Sequence, residues 1–329
     1  MVGLKRCCAY ALMLCGLAAP ANAAGIRFLN SDPQLAGLIW YPCAGTPQEV
    51  PLGALAVGPN VSLPGVKDCP VAATKLPLIV FSHGRGAWFG AHHDTAEALA
   101  DAGFVVAAIS HPGDNGKDDS NSNGVSSFAS RPADMIRLLD FLLHDWKDKA
   151  TIDPSKIGFF GFSKGAHTGL VLIGAKPDYE RLANVCQEKT GVCQELHDGA
   201  ARPHPPQDSR ITAAVIVDPA TGTVFTAETL AAIKVPIQYW RSTLGGPGVG
   251  DGSGTARVAA LLPRTSELHV VPTAHFGFLA PCSSKLAAAI PRICADKPEG
   301  FDRLAFHREF NASIERFFRE QLIAGSTVR

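Results

Sequence analysis

The sequence predicts an α/β fold, a doubly wound and mostly parallel sheet with helices on both faces. Short apolar runs without polar alternation, beginning near Leu76, indicate strands that are buried on both sides. Segments with apolar residues at helical spacing stand between these runs. Alternation of strands and helices over this length is typical of a parallel sheet with right-handed crossovers.

The strands are predicted from runs rich in Val and Ile that end in turn residues. These runs cover residues 76–84, 103–115, 156–163, 210–220, 235–242 and 266–275. The helices between and after them are predicted at residues 93–102, 131–146, 164–175, 255–262 and 302–322. The last of these segments is amphipathic and is expected to close the fold.

Two regions depart from this alternation. Residues 24–75 are rich in Gly and Pro and are expected to form a strand pair at the edge of the sheet. Residues 176–209 bring charge, proline and two closely spaced cysteines into the middle of the chain. An insertion of this length is often a lid or a binding loop. It is therefore a candidate lid, with a surface excursion that has no role as the alternative.

The first 23 residues have the pattern of a cleavable secretory signal. Lys5 and Arg6 precede an apolar stretch that is too short to span a bilayer. Ala21 and Ala23 then give the small-x-small pattern of a cleavage site. We expect a secreted or periplasmic protein in which residues 24–329 form a single domain.

Charge and hydropathy argue against several classes of partner. The 329 residues carry 30 basic and 30 acidic side chains without a basic stripe, so nucleic-acid binding is not expected. After the first 23 residues no apolar segment is long enough to cross a bilayer, and no stable membrane insertion is expected. The sequence does not indicate an oligomeric state.

The cysteines that remain after the signal are even in number, which predicts disulfides in an oxidising compartment. Pairing of sequence neighbours would join Cys43 to Cys69, Cys186 to Cys193 and Cys282 to Cys294. Metal binding is the competing interpretation, but the sequence has no C-x-x-C motif and no histidine cluster with zinc spacing. No metal site and no organic cofactor are expected.

The main chemical motif is IGFFGFSKGAH, residues 157–167, in which Gly161 and Gly165 flank Ser163 in the pattern G-x-S-x-G. A predicted strand precedes this motif and a predicted helix follows it, which is the context of a nucleophile elbow. Ser163 would then stand at the carboxyl end of the sheet, where ligands bind in open α/β folds. The alternative is an ordinary loop that happens to contain two glycines.

A serine hydroxyl needs a base within hydrogen-bond reach before it becomes a good nucleophile. His275 is the favoured candidate because it follows the final predicted strand. Four other histidines are weaker candidates. His83 and His111 lie at other strand ends, His167 is one turn into the helix after Ser163 and should pack beneath the elbow, and His269 lies inside the final strand.

The orienting acid has two candidates. Asp218 ends the strand AVIVD, and Asp251 lies in the glycine-rich loop after the next strand. Both give the chain order Ser, Asp, His that is found with nucleophile elbows, and either would hold the histidine tautomer. Asp218 is favoured.

Acyl transfer also needs amide donors for the tetrahedral oxygen. The stretch FSHGRGAWFG ends a predicted strand in glycines that allow close approach of the backbone. We predict the backbone N–H groups of Arg85 and Lys164 as the two donors. The alternative for this stretch is a plain glycine turn.

These motifs resemble a known family. The segments VFSHGRGA, GFSKGA, VIVDPA and AHFGFLAPC are similar to the oxyanion loop, elbow, acid and histidine segments of secreted α/β-hydrolases of the dienelactone-hydrolase-like, platelet-activating-factor-acetylhydrolase-like branch. The resemblance extends from Leu76 to the last helix. It implies an α/β-hydrolase fold in which Ser163 is the nucleophile, Asp218 the acid and His275 the base. Dienelactone hydrolases themselves use cysteine where this chain has Ser163, so lactone hydrolysis is not expected.

The predicted function is therefore a serine carboxylic-ester hydrolase that acts through an acyl-enzyme on small or polymeric esters, with short-chain or small esters favoured. Trp88, Phe89, Phe276 and Phe278 are candidates either for an apolar substrate groove or for the core. Two alternatives remain at this point. One is an amide or peptide hydrolase, and the other is a catalytically silent binding protein on a hydrolase scaffold.

Overall fold

The computed structural model describes residues 22–262 and 267–324. The predicted secretory signal lies outside this range except for Asn22 and Ala23, which begin the first strand. The strands are β1 (Asn22–Leu29), β2 (Gly37–Ala44), β3 (Gln48–Pro51), β4 (Ser62–Lys67), β5 (Leu76–Ser82), β6 (Val105–Ile109), β7 (Ile152–Phe162), β8 (Ile211–Val217), β9 (Ile237–Ser242) and β10 (Glu267–Val271).

The helices lie in the connections between strands and at the end of the described chain. They are α1 (His93–Asp101), α2 (Ser127–His144), α3 (Lys164–Leu172), α4 (Tyr179–Val185), α5 (Gly191–His197), α6 (Ala227–Leu230), α7 (Ser253–Leu261), α8 (Ser284–Ala289), α9 (Pro291–Cys294) and α10 (Arg303–Phe318). A π-helical turn at Arg319–Ile323 extends α10.

The described strands form one sheet in the order β10-β9-β8-β7-β5-β6-β2-β1-β4-β3. From β10 to β6 every neighbouring pair is parallel. Since parallel strands share a direction, the carboxyl ends of β5, β7, β8 and β10 lie at one edge of the sheet. The predicted α/β class with a mostly parallel sheet is confirmed.

The amino-terminal region holds more strand than the sequence predicts. Instead of a strand pair in residues 24–75, four strands continue the sheet beyond β6. β2 pairs antiparallel with β6 on one side and with β1 on the other, so that Trp40 faces both Val106 and Ile26. Many of the Gly and Pro residues of this region lie within the strands, as Pro42 does in β2 and Pro64 and Gly65 do in β4, so the composition did not indicate these strands.

Helices cover both faces of the sheet, as the unbroken apolar runs require. Along β5, Leu78 and Val80 belong to one buried cluster, whereas Ile79 and Phe81 belong to another. The first cluster includes residues of α2, α3 and α7, and the second includes residues of α1 and α10. Successive side chains of a strand point to opposite faces, which explains this division.

Disulfides join the three predicted pairs of cysteines. Cys43–Cys69, Cys186–Cys193 and Cys282–Cys294 have Cα separations of 6.3, 5.3 and 5.8 Å. Within residues 176–209, Cys186 follows α4 and Cys193 lies in α5, so this insertion contains two short stapled helices. Three disulfides are consistent with an oxidising compartment.

In the part of the chain that the structure describes, no helix is long and apolar enough to cross a membrane.

Candidate active site

Ser163 lies in a tight turn between β7 and α3. Its backbone has φ 57° and ψ −117°, a strained conformation for a residue with a side chain. A Cβ at Gly161 would lie 2.3 Å from the Gly165 carbonyl oxygen, and one at Gly165 would lie 1.9 Å from the Ser82 carbonyl oxygen. The turn therefore needs both glycines, because real side chains would collide with backbone there.

His275 and Asp218 are hydrogen-bonded to each other in the interior. The Nδ1–H of His275 donates to Oδ2 of Asp218 at 2.7 Å, and both side chains are almost fully buried. Ser242 fixes the carboxylate further, since its N–H donates to Oδ1 at 3.1 Å and its hydroxyl to Oδ2 at 2.7 Å. This arrangement leaves Nε2 of His275 as the acceptor nitrogen of the neutral imidazole.

Ser163 and His275 line the same cavity. The His275 ring stacks on Phe162, the residue before the serine, with ring centroids 4.5 Å apart. The backbone N–H of His275 donates to the Gly245 carbonyl at 2.7 Å, which holds its loop against the sheet edge. Among the described residues no hydrogen bond joins Ser163 to His275. Such bonds are often long without substrate and tighten when it binds.

The alternative acid lies elsewhere. Asp251 is at the surface and accepts hydrogen bonds from the backbone N–H and the hydroxyl of Ser253. These bonds hold its pKa below the usual value. Of the two acids predicted from the sequence, Asp218 is the one that contacts His275.

The other candidate histidines have neighbours of their own. His83 and His111 are buried, and burial lowers the pKa of each well below the ordinary value, with Arg131 adding to the effect. His167 is buried beneath the elbow, as predicted, and is hydrogen-bonded to Tyr179 and Thr221. His269 is only partly buried and stacks on Trp240, with centroids 3.7 Å apart.

The two predicted amide donors border the same cavity. Arg85 and Lys164 line it, and neither backbone N–H donates a hydrogen bond to another described residue. Lys164 is the first residue of α3, where backbone N–H groups have no acceptor within the helix. The loop before Arg85 packs directly on the elbow, since a Cβ at Gly84 would lie 3.4 Å from that of Ser163. The arrangement fits a site that binds an oxyanion.

A buried ionic cluster behind this loop was not predicted from the sequence. Asp114 binds the Arg131 Nε and the Lys164 Nζ, each at 2.8 Å. Burial alone would raise the pKa of Asp114, but the two cations outweigh burial and hold it well below the usual value. Burial, reinforced by Arg131, lowers the pKa of Lys164 to about 8. The polar Lys164 beside Ser163 was the one visible signal of this cluster in the sequence.

The cluster holds the predicted oxyanion loop on both sides of Arg85. Arg131 donates to the carbonyl oxygens of His83 at 2.6 Å and Gly84 at 3.1 Å. Asp114 accepts from the Gly86 N–H at 2.9 Å. The peptide group of Arg85 is thus fixed between bound neighbours, which is the preorganisation that oxyanion stabilisation needs.

The cavity has a volume of about 1660 Å³ and is framed by two disulfide-stapled segments. Cys186 and Cys193 border it from the 176–209 insertion, and Cys282 borders it from the segment that follows His275.

The candidate aromatic residues divide between two environments. Trp88 and Phe276 line the cavity, whereas Phe89 and Phe278 are buried in the core.

No metal cluster accompanies these residues. Within residues 22–262 and 267–324, no group of three or more His, Cys, Asp or Glu side chains is placed to hold a metal ion.

Comparison with known proteins agrees with this architecture. A sequence model of platelet-activating factor acetylhydrolase, isoform II, matches residues 52–128, which include the predicted oxyanion loop but end before Ser163. The structure is similar to that of a ferulic acid esterase from Streptomyces cinnamoneus, with a TM-score of 0.59 at 17% identity over 93% of this chain and 92% of the other. The chain has the α/β-hydrolase fold. No curated protein sequence matches this chain.

Proposed function

We propose that this α/β-hydrolase is a serine carboxylic-ester hydrolase in which Ser163, His275 and Asp218 form the catalytic triad. The observation that carries the proposal is the buried Asp218–His275 hydrogen bond, 2.7 Å long, beside a serine on a strained strand-to-helix turn. All three side chains come from the carboxyl ends of sheet strands or the loops that follow them. This combination fits the roles of nucleophile, base and orienting acid.

The proposed reaction proceeds through an acyl-enzyme. Nε2 of His275 takes the proton of the Ser163 hydroxyl as its oxygen attacks the ester carbonyl. The N–H groups of Arg85 and Lys164 bind the resulting oxyanion. His275 then gives the proton to the departing alcohol, and water repeats the sequence to release the acid. Asp218 stabilises the imidazolium that forms in each half of the reaction.

The comparisons support ester hydrolysis over the alternatives. The matching family is described as an acetylhydrolase and the similar structure as an esterase, and we extend that chemistry to this chain. We propose small esters as substrates, with residues 176–209 forming one wall of the binding cavity. Cys186, Gly191 and Cys193 of this segment line that cavity. We also propose that the first 23 residues direct the protein to the periplasm or the exterior.

A panel of chromogenic substrates tests the reaction class. We expect purified protein to hydrolyse 4-nitrophenyl acetate and butyrate faster than the palmitate ester, with turnover of 4-nitroacetanilide at or near background. The physical reason is that an alkoxide or phenoxide leaves more readily than an anilide from the same tetrahedral intermediate. Release of the chromophore is followed spectrophotometrically. Equal turnover of the anilide would favour an amide hydrolase, and no turnover of any ester would contradict the proposal.

A further inference from the structure

A second, smaller cavity adjoins the proposed catalytic cavity. It has a volume of about 450 Å³, and Arg85 and Arg292 line both cavities. Its other charged lining residues are Lys117 and Asp119. Because the two cavities share lining residues, a group bound in the second cavity lies beside an ester bound near Ser163.

The charge of this second cavity is positive. It is lined by three cationic side chains and one carboxylate, namely Arg85, Lys117, Arg292 and Asp119. None of the three cations forms an ion pair in the described part of the chain. The chain as a whole has equal numbers of basic and acidic side chains, so a general basic character does not explain this local excess. Cations without a counter-ion at the rim of a cleft attract anionic ligands.

The position of Arg85 connects this charge to the chemistry. Its guanidinium donates to Oδ1 of Asn123 at 2.5 Å, which steadies it at the boundary of the two cavities. Its backbone N–H is one of the two proposed oxyanion donors. An ester whose carbonyl oxygen is held by this N–H group therefore reacts next to a side chain that can bind a carboxylate of the same molecule.

We propose that the second cavity is a subsite for a carboxylate, and that the preferred substrates are esters carrying a free carboxylate group. This inference rests on the proposed esterase function and specifies its substrate class. Planar guanidinium groups suit carboxylates, since their N–H donors match the two oxygens. The carboxylate belongs either to the acyl part or to the alcohol part of the ester, and the two sources are separated by experiment.

The experiment compares charged esters with their uncharged methyl esters. Mono(4-nitrophenyl) adipate and 4-nitrophenyl methyl adipate test the acyl side, while 4-acetoxybenzoate and methyl 4-acetoxybenzoate test the alcohol side. For at least one pair we expect kcat/KM to favour the charged ester by about tenfold, as for charge-assisted hydrogen bonds. The preference should shrink as salt is added, because screening weakens exposed charges.

The double variant Arg85→Gln/Arg292→Gln should bring that ratio to about one, consistent with the loss of both guanidinium groups. Because this ratio compares kcat/KM for two esters of the same protein, any loss of activity that affects both esters equally does not change it. Lys234→Gln, at an exposed position outside both cavities, is the control with a matched loss of charge and should keep the ratio. The inference is overturned if neither pair favours the charged ester, or if the double variant retains the preference.

Binding to the Ser163→Ala variant separates this inference from the proposed function. Calorimetry with the preferred charged ester and its methyl ester requires no turnover, and tighter binding of the charged ester supports the subsite even if no ester is hydrolysed. Equal binding of the two overturns the subsite, while hydrolysis of the neutral esters by the wild type would leave the esterase proposal standing.

Discussion

Replacing Ser163 with alanine is expected to lower kcat for 4-nitrophenyl acetate by about 10⁶-fold, the order found when the nucleophile of a serine triad is removed. The change deletes the atom that forms the acyl-enzyme, while the backbone donors at Arg85 and Lys164 remain. Turnover is measured from the rate of nitrophenol release at saturating substrate. Circular dichroism checks that the variant protein is folded.

Ser155→Ala is the matched control for this change, because Ser155 is exposed and, among the described residues, its hydroxyl is hydrogen-bonded only to the nearby Asp153. The control should keep wild-type turnover. If the Ser163→Ala protein folded normally and turned over the ester at a rate comparable to the wild type, Ser163 would not be the nucleophile.

The second large effect is expected from Asp218→Asn, which should reduce kcat by about 10⁴-fold. The amide nitrogen of asparagine would donate to Nδ1 of His275, whereas the carboxylate accepts from it at 2.7 Å. The proton would then sit on Nε2, and the ring would no longer accept the proton of the serine hydroxyl. Steady-state kinetics with 4-nitrophenyl acetate measures the loss.

Asp251→Asn makes the same chemical change at the other acid predicted from the sequence. Its carboxylate is exposed and contacts Ser253 instead of His275, so activity should stay near the wild-type value. The assignment of the acid is wrong if Asp251→Asn abolishes turnover while folded Asp218→Asn retains it.

Local sequence patterns were enough to predict the elbow and the central strands. The collisions that exclude a Cβ at Gly161 and Gly165 arise within the turn and the adjacent strand. The local G-x-S-x-G motif was therefore enough to predict the turn. His275 was predicted from its place after the last strand. Asp218 was favoured over Asp251 in part because it matches the acid segment of the family that the motifs resemble, and of the two it is Asp218 that contacts His275.

The cluster behind the oxyanion loop could not be predicted in this way. Arg131 lies in an amphipathic helix and Asp114 in a turn, and only folding brings their charges together with Lys164. The periodicity of a sequence indicates which side of a helix is buried, but it does not indicate which residues of other elements that side contacts. The aromatic residues show the same limit, since Trp88 lines the cavity while its neighbour Phe89 enters the core.

The most direct measurement is the site at which a fluorophosphonate reacts with the wild-type protein. Such probes phosphonylate a serine only where a base activates its hydroxyl, and mass spectrometry of the digested protein identifies the labelled peptide. We predict a single adduct on Ser163, absent from the Ser163→Ala protein and strongly reduced in Asp218→Asn. Labelling of a different serine, or no labelling of active protein, would contradict the proposed triad.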